Sequence, residues 1–451
     1  MGVSYEDAVS AQEELEAKVF ADPNVVSIGV VAEVNELGEQ TGNYAVQIGV
    51  VSIDIYARAQ KCGQSSIPTE FLLRSNDGST EEKHIHINVV REGKIEALTK
   101  VSNGDIPSAK DDLPPHIQTG ASYTLRRRPS PCGQSIGHPD VSAGTLGLLV
   151  EYVEGDNTGK AYILSNNHVI AANNLASVGD AVTQPGQHDS GIVGRDTIAV
   201  LHRWVPLRSS GFNYVDAAIA EVRGGREWSR YVTPYISHIG VPEDIVDPSI
   251  GMSVEKVGRT TGYTQGEIIS AKFSTKIIYP MGTLTFRNQI RTTSMSKPGD
   301  SGSCLVKRGT RSPVGLLFAG SDSASYCSPM RTVLSALSMP HTHQYPSGTI
   351  CRFDADHSLR ILSKRSYATV SAPFFCQGSA IIQNLKRLPT ECKVAASVSS
   401  IGFYSVAMKL LGSSKRKNKV DGSLFSGMGC QFFKVAPVHV HLATAHKTST
   451  K

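Results

Sequence analysis

KPGDSGSCLVKRGTRSPVGLLFAGSD, residues 297–322, sets two short β-rich segments, 303–306 and 313–319, behind a glycine-rich turn. Apolar runs this brief, bounded by Gly and Pro, read as strands rather than helices. The same texture extends outward across 117–338. Further β-rich segments recur at 145–153, 161–164, 192–201, 217–222, 253–258, 266–279 and 288–293, punctuated by Gly, Pro, Asn and Asp. A helical pattern returns only at TVLSALS, 332–338. Many short strands with frequent turn signals predict barrels or a sandwich.

Upstream, residues 5–20 place Ala8, Leu15, Val19 and Phe20 among charged positions, the pattern of a modest amphipathic helix. NVVSIGVVAEV (24–34), NYAVQIGVVSI (43–53) and HIHINVVRE (84–92) predict strands. Residues 1–103 therefore read as a small α+β domain, and 104–116 (GDIPSAKDDLPPH) has the composition of a linker. Residues 117–338 form the β-rich domain, and 339–451 a basic extension with no assignable fold.

The chain has 451 residues, 40% hydrophobic and 19% charged, the composition of an ordinary globular protein of two or three domains. No run approaches the roughly 20 apolar residues of a membrane helix, so no membrane partner is expected. MGVSYEDAVSAQEELEAKVF (1–20) has neither a basic n-region nor an apolar h-region, and Glu6 stands where a myristoylation motif wants Ser or Thr. A cytoplasmic location is the expectation, with secretion by another route left open. The net charge of +5 is uneven: from 341 onward, 15 Lys and Arg stand against 4 Asp and Glu. The cluster KRKNK (415–419) lacks interleaved aromatics or a recognised module, so a nucleic-acid partner is not expected. The eight cysteines show no metal-binding spacing and are expected to be free buried thiols; His84 and His86 read as a solvated strand face. Neither a metal nor a cofactor is called for.

Three segments carry chemistry: YILSNNHVIA (162–171), NYVDAAIAEV (213–222) and KPGDSGSCLV (297–306). A serine hydroxyl attacks an amide only with a base in hydrogen-bond reach, and histidine titrates in the right range. A buried aspartate then fixes the histidine tautomer and stabilises the imidazolium. His168, Asp216 and Ser301 supply these types in that order. Gly299 allows a backbone conformation that turns its N–H toward substrate, and with the N–H of Ser301 it would form an oxyanion hole. Taken singly, each of these residues is as well explained by a turn, a cap or a satisfied structural histidine; their combination carries the reading.

These segments resemble the His, Asp and Ser motifs of the chymotrypsin-like (trypsin-like) serine peptidases. KVGRTTGYTQGEI (256–268) is similar to a strand motif of the bacterial branch that includes the alpha-lytic protease and the streptogrisins. SNNHV, VDAAIA, LLFAGSD (316–322) and RRRPSPCGQSIGHPDVSAGTLG (126–147) resemble bacterial trypsin-like peptidases with an N-terminal α+β domain. The resemblance covers roughly 20–335. It implies a mainly β fold, two six-stranded antiparallel barrels at right angles with the site in the cleft between them. His168 and Asp216 would come from the first barrel and Ser301 from the second. Ser303 departs from a second glycine common in the family, and Asp300 matches the residue that pairs with a newly cut N-terminus in zymogen-activated members.

By the same resemblance Met295 lies at the base of the primary specificity pocket, Gly320 on its wall, and Phe318 and Ala319 on the strand that pairs with extended substrate. An uncharged pocket implies preference for a medium-sized apolar side chain. The expected activity is that of a serine endopeptidase acting on a polypeptide substrate through an acyl-enzyme. The alternatives are a catalytically silent peptide-binding homologue and an esterase using the same triad. The N-terminal domain is read as a folding aid or an inhibitory cap.

Overall fold

Six strands between Ser253 and Pro329 close on themselves. Ser253–Gly258 pairs with Gly262–Tyr279, which pairs with Gly282–Thr293; the ring continues through Ala324–Pro329, Ser312–Gly320 and Cys304–Lys307 back to Ser253–Gly258, antiparallel throughout. Closure leaves no free edge within the ring, and the inward side chains form a core containing Val254, Ile268, Ile290, Leu305, Val314 and Leu317. In this computed structural model, residues 2–74, 82–98, 123–153, 155, 157–338 and 359–363 are described, with the backbone of Cys392–Val398 and Tyr404–Leu410. The expected linker 104–116 and the KRKNK cluster lie outside the described residues.

Mostly upstream of the barrel in sequence lies the first sheet, six-stranded and antiparallel, in the order Ala181–Thr183, Thr197–Trp204, Ala218–Val222, Tyr162–Ser165, Leu148–Tyr152 and Leu359–Ile361. Among the described residues no pairing closes this sheet into a ring, in contrast to the barrel downstream. Its last strand lies beyond residue 338, where the sequence texture ends the β-rich domain. Leu359, Ile361 and Leu362 are buried in the core beneath it. Short apolar runs separated by charged sequence are what an edge strand looks like, and Leu359–Ile361 is too brief to show periodicity.

The N-terminal α+β elements add to the barrel as sheet. Helix Tyr5–Val19, begun by a capping box between Ser4 and Asp7, packs on strands Val25–Val34, Gln40–Val50 and Glu82–Arg91. Glu70–Arg74 pairs outside these, and a helix over Ile53–Lys61 joins the second and third strands of the order in sequence. Val25–Val34 also pairs antiparallel with Gly262–Tyr279, Ser27 opposite Thr275 and Gly29 opposite Phe273. The sheet is thereby continuous from the N-terminal elements into the barrel. Ion pairs reinforce the seam: Glu16 with Arg287 at 2.6 Å and Glu13 with Lys272 at 2.6 Å. Lys276 Nζ donates to the carbonyls of Phe20 and Val25, both at 2.9 Å. Glu92, fully buried, meets Arg291 at 3.0 and 3.2 Å and accepts from the hydroxyl of Tyr326.

Chain contacts divide the molecule into Met1–Pro373 and Phe374–Lys451. In the latter, Cys392–Val398 and Tyr404–Leu410 pair antiparallel, Cys392 opposite Leu410. Among the described residues no helix is long and apolar enough to cross a membrane. Cys132, Cys304 and Cys327 are free and buried, as expected, whereas Cys62 is free and exposed at the end of its helix. His84 and His86 lie on an exposed strand face beside Glu70 and Glu33.

Candidate active site

Register brings His168 and Asp216 together. Strand Tyr162–Ser165 runs into the short helix Asn167–Ile170, which carries His168, and Ser165 pairs with Ala218, two residues after Asp216. Asn166 Nδ2 donates to the main-chain carbonyl of Asp216 at 2.7 Å, tying the two loops. His168 Nδ1 then lies 2.5 Å from Asp216 Oδ2, and the His168 main-chain N–H donates to Oδ1 at 3.3 Å. Both side chains are fully buried. A carboxylate facing Nδ1 holds the proton there and leaves Nε2 as the free lone pair. His168 Nε2 is buried and has no hydrogen-bond partner.

Tyr279, at the end of the long strand Gly262–Tyr279, donates its hydroxyl to Asp216 Oδ2 at 2.7 Å. Burial, followed by the charge of Asp216 and this hydrogen bond, pushes the Tyr279 phenol well above its ordinary range. Sequence reasoning did not select this residue. It closes the apolar run KIIY (276–279), which reads as core.

Ser301 follows a turn that only glycines permit. Gly299 has φ +95° and Gly302 φ +91°. At Gly302 a Cβ would fall 2.2 Å from Ser165 Oγ and 2.3 Å from the Thr145 carbonyl, so the missing side chain lets this turn seat against the first sheet. The Thr145 N–H donates to the Ser301 carbonyl at 2.7 Å, fixing that contact. Ser301 Oγ lies 3.3 Å from the Phe318 carbonyl and 3.5 Å from that of Leu98. No hydrogen bond joins it to His168 Nε2.

Asp300 shows how the turn is braced. Its carboxylate takes the Lys256 ammonium at 3.0 Å, the N–H groups of Thr260, Thr261 and Lys297 at 2.8, 3.0 and 3.0 Å, and the Thr261 hydroxyl at 2.6 Å. The sequence resemblance matched Asp300 to a residue that pairs with a newly cut N-terminus. Here that place is filled by an internal lysine, and both partners are buried. Burial depresses the Lys256 pKa while the charge of Asp300 opposes the fall.

Of the residues expected around the pocket, Phe318, Ala319 and Gly320 lie on the strand Ser312–Gly320, with Phe318 and Ala319 in one core cluster and Met295 in another, and a piece of the chain itself lies against that strand. Glu96–Ala97 pairs antiparallel with Ser312–Gly320, Ala97 opposite Ala319 and Glu96 opposite Gly320. On its other side Glu96 pairs with Ile278, whose N–H donates to the Ile95 carbonyl at 2.9 Å. The Leu98 N–H donates to the Phe318 carbonyl at 3.4 Å, and the Leu98 carbonyl accepts the Gly299 N–H at 3.3 Å. The Leu98 side chain, 6% exposed, joins a cluster with Met295, Ile268 and Leu317. Its Cδ2 is 3.3 Å from where a Cβ on Gly320 would stand. Nothing in the wording IEALTK (95–100) marks Leu98; only the pairing with a distant strand singles it out.

Comparison with solved structures finds similarity to Thermobifida fusca Protease A, 18% identical over 45% of this chain and 93% of that one, TM-score 0.32. A Nocardiopsis protease, NAPase, is 20% identical over 45% of this chain and 93% of its own, TM-score 0.32. Cellulomonas bogoriensis chymotrypsin is 19% identical over 46% and 93%, TM-score 0.31. No family model and no curated protein matches the chain.

Proposed function

We propose that this chain is a serine endopeptidase with Ser301 as nucleophile, His168 as general base and Asp216 as the group that orients and charges against the histidine. The observation that carries the reading is the Gly299 N–H, aimed at a peptide carbonyl oxygen that lies 3.5 Å from Ser301 Oγ. A donor so placed would meet the oxyanion that forms when a serine adds to that carbonyl. In the reaction, Ser301 Oγ turns from the Phe318 carbonyl to the vacant His168 Nε2 and gives up its proton there. Asp216 stabilises the imidazolium, which protonates the leaving amine; water then resolves the acyl-enzyme by the same route in reverse. Met295 and Gly320 bound an uncharged pocket for the acyl-side residue, and Phe318 and Ala319 pair with the extended chain.

One observation favours a second reading, a silent peptide-binding homologue: Ser301 Oγ does not meet His168 Nε2. A fluorophosphonate probe separates the two. Labelling of the folded full chain at Ser301, lost in Ser301→Ala and in His168→Ala, is expected of the peptidase. Folded protein in which neither the wild-type chain nor the pocket-opening variant Leu98→Asp takes the label, and which cleaves no peptide, would establish the silent reading.

A further inference from the structure

The geometry points to Thr260 as the residue that aims the Gly299 N–H, a positioning role behind the proposed oxyanion donor; this rests on the peptidase reading above. The Gly299 N–H belongs to the Pro298–Gly299 peptide unit, which is planar and trans, so its carbonyl and its N–H point in opposite directions. Whatever holds the Pro298 carbonyl therefore fixes where the N–H points. The Thr260 hydroxyl donates to that carbonyl at 2.6 Å. Gly299, at φ +95°, has no side chain to resist rotation of the unit, so the turn needs a clamp from outside. Thr260 supplies it from the turn between strands Ser253–Gly258 and Gly262–Tyr279, where it is buried.

The clamp is itself held. Arg259 Nη1 donates to the Thr260 hydroxyl oxygen at 3.1 Å, which leaves the single hydroxyl proton for the Pro298 carbonyl. The same guanidinium meets the Asp189 carboxylate through Nε at 2.9 Å and through Nη2, with both side chains buried. The Thr260 N–H donates to Asp300 Oδ1 at 2.8 Å, so one residue grips the turn on both sides of Gly299. The Arg259 N–H donates to the Thr145 hydroxyl at 2.9 Å, and that hydroxyl donates to the Gly299 carbonyl at 2.9 Å. The successive carbonyls of Pro298 and Gly299 are thus each taken by a threonine hydroxyl, and Arg259 sets both threonines. A donor fixed in this way needs no reorganisation when negative charge develops on the substrate oxygen. Among the described residues Thr260 makes no hydrogen bond to His168, Asp216 or the Ser301 hydroxyl, so its loss leaves nucleophile and base in place.

The test is Thr260→Val, which keeps the shape and removes the donor. Thr260→Ala runs beside it, so that a methyl group set against the Pro298 carbonyl is not itself the cause of a loss, and Thr260→Ser restores the hydroxyl. Each is made in the full chain and in the full chain carrying Leu98→Asp, and unfolding with Ser301→Ala added checks that each folds. The measurements are kcat and KM for peptide cleavage, and the affinities of a peptidyl trifluoromethyl ketone and of the matching peptide amide. Ser301 adds to the ketone and leaves an oxyanion for the Gly299 N–H to meet, whereas the amide binds without one. Loss of an oxyanion donor costs about 10²–10³ in rate, so misaiming one is expected to lower kcat by about ten- to hundredfold with KM nearly unchanged. Ketone affinity is expected to fall by a similar factor while amide affinity holds, and Thr260→Ser to recover most of the loss. Unchanged kcat and ketone affinity in Thr260→Val and Thr260→Ala overturn the inference and leave the peptidase reading standing. So does failure of both to fold, a loss shared equally by ketone and amide, or a loss that Thr260→Ser does not recover, since each assigns Thr260 to packing. A folded chain that neither labels with fluorophosphonate nor cleaves peptide, as wild type and as Leu98→Asp, overturns both.

Discussion

The Tyr279 hydroxyl donates to Asp216 Oδ2 at 2.7 Å, the same oxygen that lies 2.5 Å from His168 Nδ1. Two donors thus share one carboxylate oxygen, and one of them comes from a strand of the barrel that carries Ser301. The neighbouring residue, Ile278, pairs with Glu96 of the N-terminal segment. The His168–Asp216 pair on the first sheet is therefore completed by the barrel, and the barrel is braced there by residues far upstream.

Tyr279→Phe removes one of the two donors that hold the Asp216 carboxylate in place against His168. A charge-assisted hydrogen bond to a buried group is worth about 1.5–3 kcal/mol, so kcat should fall on the order of tenfold, with KM nearly unchanged. Asp216→Asn should cost far more, on the order of 10⁴-fold, because the wrong tautomer results. A Tyr279→Phe enzyme with unchanged kcat and altered KM would assign Tyr279 to packing alone.

Much of this candidate site is legible in the sequence. His168, Asp216 and Ser301 stood out because their chemistry demands particular residue types, and Gly299 because a turn of that kind demands glycine. Tyr279 and Leu98 were not legible, for a shared reason. Each is an apolar-looking residue in an apolar run, and its role depends on a partner more than 60 positions away, Asp216 for Tyr279 and Phe318 for Leu98. Strand periodicity predicts which face a residue takes but not which distant strand lies opposite. The same limit explains Leu359–Ile361, whose place on the first sheet follows from pairing with Leu148–Tyr152 and from no local signal.

Gly320→Val tests the pocket. Gly320 does not have positive φ, and an added Cβ would stand 3.1 Å from Ser296 Oγ and 3.3 Å from Leu98 Cδ2, so the backbone tolerates the change while the pocket narrows. The ratio of kcat/KM for leucine over alanine at the acyl-side position is expected to fall by about 10–100-fold, in line with the worth of one or two methylenes. An unchanged ratio would place the primary specificity pocket elsewhere.

Lys256→Met tests the brace under the Ser301 turn. It leaves the Asp300 carboxylate buried without its countercharge, a change that typically costs about 3–5 kcal/mol. The backbone donors of Thr260, Thr261 and Lys297 remain, so the lower end is expected. Chemical unfolding of the Ser301→Ala chain, which rules out self-digestion, provides the measurement. Asp300→Asn on top of Lys256→Met should return part of the loss, because the stranded charge is gone; an additive pair of losses would show that the two groups do not act as a pair.

Alkaline pH probes the buried acids together. Burial raises the pKa of Cys132, Cys304 and Cys327, and burial against Asp216 and Glu92 raises Tyr279 and Tyr326 well above the ordinary phenol value. A group whose folded pKa exceeds its unfolded one contributes stability that is complete below the unfolded value and is lost as pH rises toward the folded value. Unfolded thiols titrate near about 8.5 and phenols near about 10. Stability should therefore begin to fall above pH ~8.5 and fall more steeply above pH ~10. Thermal unfolding of the reduced Ser301→Ala chain between about pH 8 and about pH 11, spanning both reference values, measures the slope. Phenylalanine at both 279 and 326 should flatten the upper part of the curve while lowering stability near neutrality, where the hydroxyls still donate to Asp216 and Glu92. A steep upper limb that survives both substitutions would assign the alkaline transition to other groups.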